Sequence, residues 1–400
     1  MKYVLVIPDG AADFPLAELG GKTPLEAAAK PNMDRIAREG VLGTVDTIPE
    51  GFPPGSDVAI MSVLGYDPRE FYSGRAPLEA ASMGIALGEN DWALRCNLVT
   101  IAEGRMIDYS AGHISPSEAA EIVKTLNGQL GGPGVEFYAG KGYRNLLVLR
   151  GLKRLRVETT PPHDIKGEET AKHLPRGKDA GVLKRLMDAS GVVLLDHPTN
   201  RRRAAAGQVA ATHIWLWGEG RSRRLPSYGE RYGVAAAVIT AVDLVAGISA
   251  LAGWQRIVVP GATGYYDTDY RGKGRAAAKA LDKYDLVFVH VEAPDEASHN
   301  RDAREKVRAI EEIDKHVAGP LLEALSRRKG WRILVLPDHY TPVRSAAHSG
   351  EPVPFAICGR GIEGSGSAAF SERAAVNGPH ISKGYTLMGE FLGKAEQWAL

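Results

Sequence analysis

Seven residues whose side chains can bind metal ions or transfer a phosphoryl group lie in four short segments of the chain: Asp9, Ser56, Asp295, His299, Asp338, His339 and His348. Three of these segments follow strongly apolar runs, KYVLVIP, DLVFVHV and RILVLP, which predict buried strands. Ligands collect outside the carboxyl ends of the strands in a parallel sheet, so we expect these side chains to meet there. Three Asp, three His and one Ser can hold two divalent metal ions beside a hydroxyl nucleophile, which predicts phosphoryl transfer.

The spacing of the Asp and His residues indicates how they would share ions. Asp295 and His299 are four residues apart, so a helical turn puts both side chains on one face. Asp338 and His339 are adjacent and point to different sides of an extended backbone, which suits a position between two ions. His348 lies in a loop before SGEPVP. Each segment alone has a structural alternative, a surface Asp and His on a helix or a structural His, and their combination favours a metal centre.

Ser56 has two interpretations. It follows a proline and a glycine and precedes a helical pattern, so it is a candidate N-cap residue. A helix N-terminus also stabilises a phosphate through its free N–H groups and its dipole. Metal coordination can activate a serine hydroxyl without a neighbouring base, so the capping and nucleophilic roles can coexist.

The elements that position these residues are alternating strands and helices. Further strands are predicted at RIVVP and PFAIC, and a helix is predicted near residues 32–39. In residues 305–330 apolar residues recur at steps of three and four, which predicts one long helix between two strands. This repetition predicts an α/β fold, a doubly wound α/β/α sandwich.

Residues 86–211 have a different pattern. They contain strand candidates at WALRCNLVTI, YRNLLVLRG and RLRVETT, and helical patterns near residues 117–126 and 179–189. Because candidate metal ligands flank this stretch on both sides, we interpret it as a smaller α/β domain that is inserted into the first. The prediction is a metal-binding catalytic domain at 1–85 and 212–400 and a substrate-binding domain at 86–211.

Composition excludes several classes of protein. A net charge of +1 gives no basic field for nucleic acid or an anionic membrane. Two cysteines exclude a disulfide scaffold and fit a reducing compartment. The apolar N-terminal run is too short for a signal peptide, and no apolar stretch approaches the roughly 18 residues of a membrane span. We therefore expect a cytoplasmic protein with no nucleic-acid or membrane partner, whose oligomeric state the sequence does not determine.

Longer motifs carry a resemblance to a known family. ELGGKTPLEAA, PGSDVA, LGYDP, VPGATG, HVEAPDEASH and PDHYTP are spread over essentially the whole chain. With them the sequence resembles the archaeal-type cofactor-independent phosphoglycerate mutases of the alkaline phosphatase superfamily. The resemblance implies an alkaline-phosphatase-like fold, a phosphoglycerate substrate, no 2,3-bisphosphoglycerate cofactor, and two divalent ions, which are Mn²⁺, Zn²⁺ or Mg²⁺.

The resemblance also implies roles for individual residues. One ion would be bound by Asp9, Ser56, Asp338 and His339, and the other by Asp295, His299 and His348. Ser56 would carry the phosphoryl group transiently, and Lys273 would neutralise charge near the phosphate. Substrate would then be held by cationic groups, for which Arg75, Lys273 and Arg203 are candidates, with His163 and Asp164 as acid–base candidates.

Some segments depart from the archaeal pattern. PGSDVA is followed by isoleucine, and TPPHDI at residues 160–165 and WLWG at residues 215–218 look more like a bacterial branch for which a homoserine kinase role has been proposed. These differences leave the metal ligands unchanged and concern the acceptor of the phosphoryl group. Two alternatives therefore stay open, a homoserine phosphotransferase and a metal-dependent phosphatase.

Overall fold

Strands and helices alternate through the part of the chain that the computed structural model describes, residues 1–364, 366–367 and 369–394. The strands are β1 (Lys2–Pro8), β2 (Val41–Val45), β3 (Trp92–Ala102), β4 (Arg105–Asp108), β5 (Val135–Lys141), β6 (Arg144–Leu149), β7 (His213–Arg221), β8 (Ala236–Ile239), β9 (Gln255–Arg256), β10 (Leu286–Val291), β11 (Trp331–Val335), β12 (Val353–Gly359) and β13 (His380–Ile381).

The helices are α1 (Pro24–Ala27), α2 (Pro31–Glu39), α3 (Ser56–Val63), α4 (Pro68–Phe71), α5 (Arg75–Ser82), α6 (Pro116–Leu130), α7 (Ala180–Leu194), α8 (Pro198–Ala205), α9 (Tyr228–Tyr232), α10 (Asp243–Leu251), α11 (Tyr270–Ala280), α12 (Ala293–His299), α13 (Ala303–Ile313), α14 (Gly319–Ser326), α15 (Glu372–Ala375) and α16 (Leu387–Leu392). Among the described residues no helix has the length and apolar character that a membrane crossing needs.

The chain forms two compact units. Unit 1 comprises Met1–Tyr72 and Arg224–Leu400, and unit 2 is Ser73–Arg223. Unit 2 thus begins before, and ends after, the insertion predicted at 86–211. The difference has a structural cause, because β7 pairs with β3 along most of its length and α5 packs on both strands.

Unit 1 contains an eight-stranded sheet in the order β13-β2-β12-β11-β1-β10-β8-β9. The central strands β11, β1, β10 and β8 are parallel, whereas β12 is antiparallel to both of its neighbours. Side chains alternate between the faces of a strand. Val4 and Val6 pack in a core with α2, α11, α13 and α14, while Tyr3 contacts Phe391 of α16 on the other face. Helices cover both faces, and the predicted doubly wound α/β fold is confirmed.

The long helix predicted at 305–330 is three consecutive segments. α13 passes into a π-helical turn at Asp314–Ala318, which continues directly into α14. Pro320 has no N–H and cannot continue the regular hydrogen-bond ladder, which accounts for the local widening. A Cβ on Gly274 of α11 would lie 1.9 Å from the carbonyl oxygen of His316, so the glycine allows α11 to approach this turn closely.

Unit 2 is built on a five-stranded antiparallel sheet. Its order is β4-β3-β6-β5, with β7 on the other side of β3. Helices α6 and α7 extend the two predicted patterns by a few residues. The strand predicted at RLRVETT is wrong, because its one pairing is an isolated bridge between Glu158 and Arg176. In unit 1, only Arg256 of the predicted RIVVP run is in a strand, the edge strand Gln255–Arg256, and Val258 beyond it is 79% exposed.

Candidate active site

The order of the central strands brings three of the four predicted segments together in unit 1. β1 lies between β10 and β11, with Pro8 opposite Val291 and Val6 opposite Val335. All three strands run in the same direction, so their carboxyl ends form one edge of the sheet. Asp9 follows β1, α12 with Asp295 and His299 follows β10, and Asp338 follows β11. The expectation that these groups meet at strand ends is confirmed.

Asp9, Asp338 and His339 form a first group that could hold a metal ion. His339 Nε2 lies 3.6 Å from Asp9 Oδ1 and 3.3 Å from Asp338 Oδ2. Both carboxylate oxygens are buried and have no hydrogen-bond partner among the described residues. The other oxygen of Asp338 accepts hydrogen bonds from the backbone N–H groups of Gly10 and His339, at 3.1 and 3.0 Å. Asp338 Oδ1 is therefore held by backbone hydrogen bonds, whereas Asp338 Oδ2 has no hydrogen-bond donor among the described residues.

Ser56 faces this group from the start of α3. Its Oγ lies 3.1 Å from His339 Nε2. The capping interpretation is wrong, because Gly55 occupies the N-cap position and the Ser56 hydroxyl instead lies within hydrogen-bond distance of His339. Gly55 has an extended backbone with φ of 171°, so Ser56 is the first helical residue. The hydroxyl is consequently left for the site.

Asp295, His299 and His348 form a second group. Asp295 Oδ2 lies 3.1 Å from His299 Nε2, and Asp295 Oδ1 lies 3.4 Å from His348 Nε2. His299 Nδ1 donates to the carbonyl oxygen of Ala346 at 2.9 Å, which directs Nε2 toward the carboxylate. Burial alone would raise the pKa of Asp295, but hydrogen bonds from the two imidazoles hold that pKa well below its usual range. The carboxylate is therefore ionised.

Two further residues of this edge were missed from the sequence. His290 at the end of β10 donates to Asp9 Oδ2 at 2.8 Å, and Glu292 Oε2 lies 3.7 Å from the same nitrogen. Together with Asp9 they form a third set of metal-capable groups. The signal was present in the strand run DLVFVHVE, whose one histidine is surrounded by apolar residues, and a buried histidine there needs a polar partner.

Two buried carboxyl groups at this edge of the sheet, those of Asp9 and Glu292, have too little positive charge around them to be stable in the ionised form. Burial and the carboxylates of Asp338 and Glu292 raise the pKa of Asp9 well above its usual range. Burial likewise raises the pKa of Glu292 to about 8. Lys273 of α11 is 1% exposed and donates to the carbonyl oxygen of His290 at 3.2 Å. Burial lowers the pKa of this amine to about 8, so one lysine balances the buried carboxylates only in part.

These residues fit divalent cations. Carboxylate and imidazole atoms converge, two carboxylate oxygens are buried without donors, and the raised pKa values of Asp9 and Glu292 show that the buried carboxylates lack enough compensating positive charge. Oxygen and imidazole ligands suit Mn²⁺, Zn²⁺ and Mg²⁺ to different degrees, so the donor set does not choose between them.

Three of the remaining predicted residues lie together in unit 2. His163 and Asp164 share a short 3₁₀ turn, with 3.6 Å between Nε2 and Oδ1. Burial lowers the pKa of His163, opposed by Asp164 and reinforced by the positive charges of Arg95, Arg144 and Arg75. The guanidinium of Arg95, which the sequence analysis missed, lies 4.4 Å from the ring centre of Trp217. This part of unit 2 therefore presents a half-buried imidazole beside several cations.

Arg203 does not have the surroundings predicted for it. Its side chain is 3% exposed, and its guanidinium donates to Glu118 at 2.8 Å and to the carbonyl oxygens of Ala111 and Val209 at 2.8 and 2.9 Å. These bonds tie α8 to the start of α6. The prediction that Arg203 binds substrate is therefore wrong, because its guanidinium donors are already bonded to acceptors within unit 2.

Comparison with known proteins gives one family. Residues 37–200 match the family described as 2,3-bisphosphoglycerate-independent phosphoglycerate mutase. A protein of that name from Methanothrix thermoacetophila is 52% identical over 379 residues, covering 94% of this chain and 96% of its own. A solved structure from Pyrococcus horikoshii has a TM-score of 0.84 and 31% identity, covering 100% of this chain and 99% of its own. The cofactor-independent phosphoglycerate mutase of Thermoplasma acidophilum has a TM-score of 0.71 and 26% identity, covering 98% and 99%. The chain therefore belongs to the family of 2,3-bisphosphoglycerate-independent phosphoglycerate mutases.

Proposed function

We propose that this protein interconverts 2-phosphoglycerate and 3-phosphoglycerate through transient phosphorylation of Ser56, without 2,3-bisphosphoglycerate. The observation that carries the role of Ser56 is its position. Ser56 is the first residue of α3 rather than its N-cap, and its hydroxyl lies 3.1 Å from His339 Nε2, which itself lies 3.6 and 3.3 Å from carboxylate oxygens of Asp9 and Asp338 that lack donors. This position, facing a group of candidate metal ligands, is the one expected of a nucleophile rather than of a serine with only a structural role.

The reaction divides into two half-reactions at Ser56. In the first, Ser56 Oγ forms a bond to phosphorus as the bond between phosphorus and the substrate oxygen breaks. In the second, the other hydroxyl of glycerate forms a bond to phosphorus and Ser56 is released. The N-terminus of α3 directs free N–H groups and its positive dipole end toward the transferring group.

We assign two cation sites to the chain. Asp9, Ser56, Asp338 and His339 would hold one ion, and Asp295, His299 and His348 would hold the other. When bound, Mn²⁺, Zn²⁺ or Mg²⁺ would lower the pKa of the serine hydroxyl and neutralise phosphate oxygens. The amine of Lys273 lies at the same edge and carries a positive charge below its pKa of about 8, consistent with its predicted role near the phosphate.

We further propose that unit 2 binds the glycerate part of the substrate. Two of the cations around His163, Arg75 and Arg144, suit a carboxylate, whereas Arg95 already pairs with Glu79, and Asp164 beside His163 suits proton exchange with a hydroxyl. Exclusion of water while Ser56 is phosphorylated would separate a mutase from a phosphatase. We place the enzyme in the cytoplasm, as the composition predicts.

The alternative acceptor, homoserine, receives no support from the comparisons, since the relative from Methanothrix thermoacetophila carries the mutase name. A coupled assay with 3-phosphoglycerate, run beside one with ATP and homoserine, tests this directly. We expect 2-phosphoglycerate from the first and no phosphohomoserine from the second. Release of inorganic phosphate as the main product would instead support a phosphatase.

Ser56→Ala tests the nucleophile. We expect turnover to fall by several orders of magnitude while folding persists, and phosphate on the Ser56 peptide when wild-type protein is quenched during turnover. The matched control is Ser62→Ala in the same helix, whose buried hydroxyl has no hydrogen-bond partner among the described residues. This control should retain full activity. A near-normal rate in Ser56→Ala, or phosphate trapped only on another residue, would refute the assignment.

A further inference from the structure

The hydroxyl of Thr341 lies between the two ligand groups. Thr341 Oγ1 is 3.1 Å from Nδ1 of His339, a member of the first group, and 2.6 Å from Oδ1 of Asp295, a member of the second. The side chain is completely buried. We propose that Thr341 is a positioning residue, which sets the proton of His339 and links the two cation sites to each other. The inference rests on the proposed function, because it concerns the same centre.

The direction of the two hydrogen bonds follows from counting protons. A carboxylate can only accept, so the Thr341 hydroxyl donates its one hydrogen to Asp295 Oδ1. Its oxygen must then accept from His339, which places the imidazole proton on Nδ1. A neutral imidazole with its proton on Nδ1 has a lone pair on Nε2. That lone pair faces Ser56 Oγ, 3.1 Å away, and the free carboxylate oxygens of the first group.

The surrounding backbone holds Thr341 in this place. Its N–H donates to the carbonyl oxygen of Ala12 at 3.2 Å, and its own carbonyl oxygen accepts from Lys306 Nζ at 3.0 Å. Gly10 leaves the space that the hydroxyl needs, since a Cβ there would lie 2.6 Å from Thr341 Oγ1 and 2.5 Å from Asp295 Oδ1. Backbone hydrogen bonds therefore hold Thr341 in place, and Gly10 leaves room for its hydroxyl.

The link has two consequences. Without it, His339 can carry its proton on Nε2 and present a donor where a ligand atom is needed. Asp295 also loses a donor and can turn within the second group. Partners that orient metal ligands in this way typically contribute 10–100-fold to metal affinity.

The test compares Thr341→Val, which keeps the shape and removes the hydroxyl, with Thr341→Ser, which restores the hydroxyl on a smaller side chain. Titration calorimetry with Mn²⁺ gives stoichiometry and affinity without reference to turnover. We expect two ions for wild type, an affinity about 10–100-fold weaker in Thr341→Val, and recovery of most of that loss in Thr341→Ser. Equal Mn²⁺ affinity in wild type and Thr341→Val would overturn the inference and leave the two-metal proposal intact.

The proton position can be measured in metal-free wild-type protein, so it does not depend on a variant that folds. Long-range ¹⁵N correlation spectra of histidine-labelled protein distinguish the two neutral forms of an imidazole, and His339→Gln identifies the signal. We expect the proton on Nδ1. A proton on Nε2 would overturn the inference. Wild-type protein that binds no Mn²⁺ would overturn the proposed metal centre, and the inference with it.

Discussion

Replacing Lys306 by methionine removes the buried cation that holds two loops of the centre in place. Lys306 Nζ lies 2.9 Å from Asp13 Oδ2 and also donates to the carbonyl oxygens of Thr341 and Ala12, at 3.0 and 3.3 Å. The two side chains are 0% and 1% exposed. Asp13 follows β1 and Thr341 follows β11, so this single amine connects the segments that carry Asp9 and Asp338.

The magnitude follows from what the substitution leaves behind. Breaking a buried ion pair by removing one partner typically costs about 3–5 kcal/mol, because the remaining charge is buried and uncompensated. Here the carboxylate keeps backbone donors, Phe14 at 2.7 Å and Val343 at 3.0 Å. We therefore expect the lower end, about 3 kcal/mol. At about 1.4 kcal/mol per factor of ten, the opening equilibrium of unit 1 should increase by about two orders of magnitude.

Hydrogen exchange measured by mass spectrometry tests this value. Amides of α13 and β1 should exchange about a hundredfold faster in Lys306→Met, whereas β3 in unit 2 should be unaffected and serves as an internal reference. Arg327→Met is the matched control, because Arg327 pairs with Glu323 at 73% and 68% exposure in the same unit. Adding Asp13→Asn should recover much of the loss, since the uncompensated charge is then absent. Unchanged exchange in Lys306→Met would refute the reasoning.

Two further predictions concern the metal centre. Dialysis against a strong chelator should abolish turnover and lower the unfolding temperature, because ions that bind only the folded state stabilise it. Adding Mn²⁺ or a similar ion should restore both. Full activity in protein shown to be metal-free would contradict the two-metal proposal. Gly10→Ala should cost more than the about 1–2 kcal/mol of a left-handed residue, since its φ is 60° and its Cβ would lie 2.5 Å from Asp295 Oδ1. Gly20→Ala is its control, with φ of 67° and nothing within 4 Å, and equal losses of stability and Mn²⁺ affinity in the two variants would show that the contact is unimportant.

The central strands, and the candidate ligands at their ends, were predictable from the sequence, because both depend on local patterns. Apolar runs of five to seven residues form β1, β10 and β11, and polar residues directly after such runs lie at the edge of the sheet. The four-residue spacing of Asp295 and His299 likewise predicted that both candidate ligands lie on one helix, and α12 spans both. The motif resemblance added the family, which the comparisons confirm.

Only the tertiary structure decided which atoms face each other. The order β10-β1-β11 places Asp9 next to both His290 and His339, although no local pattern relates these residues. The same long-range pairing gives Thr341 its two partners. It also gives Arg203 a buried acidic partner, Glu118, that removes it from the substrate candidates.

The ends of unit 2 are likewise set by long-range strand pairing. Sequence patterns placed them at 86 and 211, whereas strand pairing between β3 and β7 extends the unit to Ser73 and Arg223. Hydrophobic periodicity indicates only whether one segment forms a helix or a strand. Strand order, register and the burial of a charge depend on segments hundreds of residues apart, and a single sequence carries no direct record of those contacts.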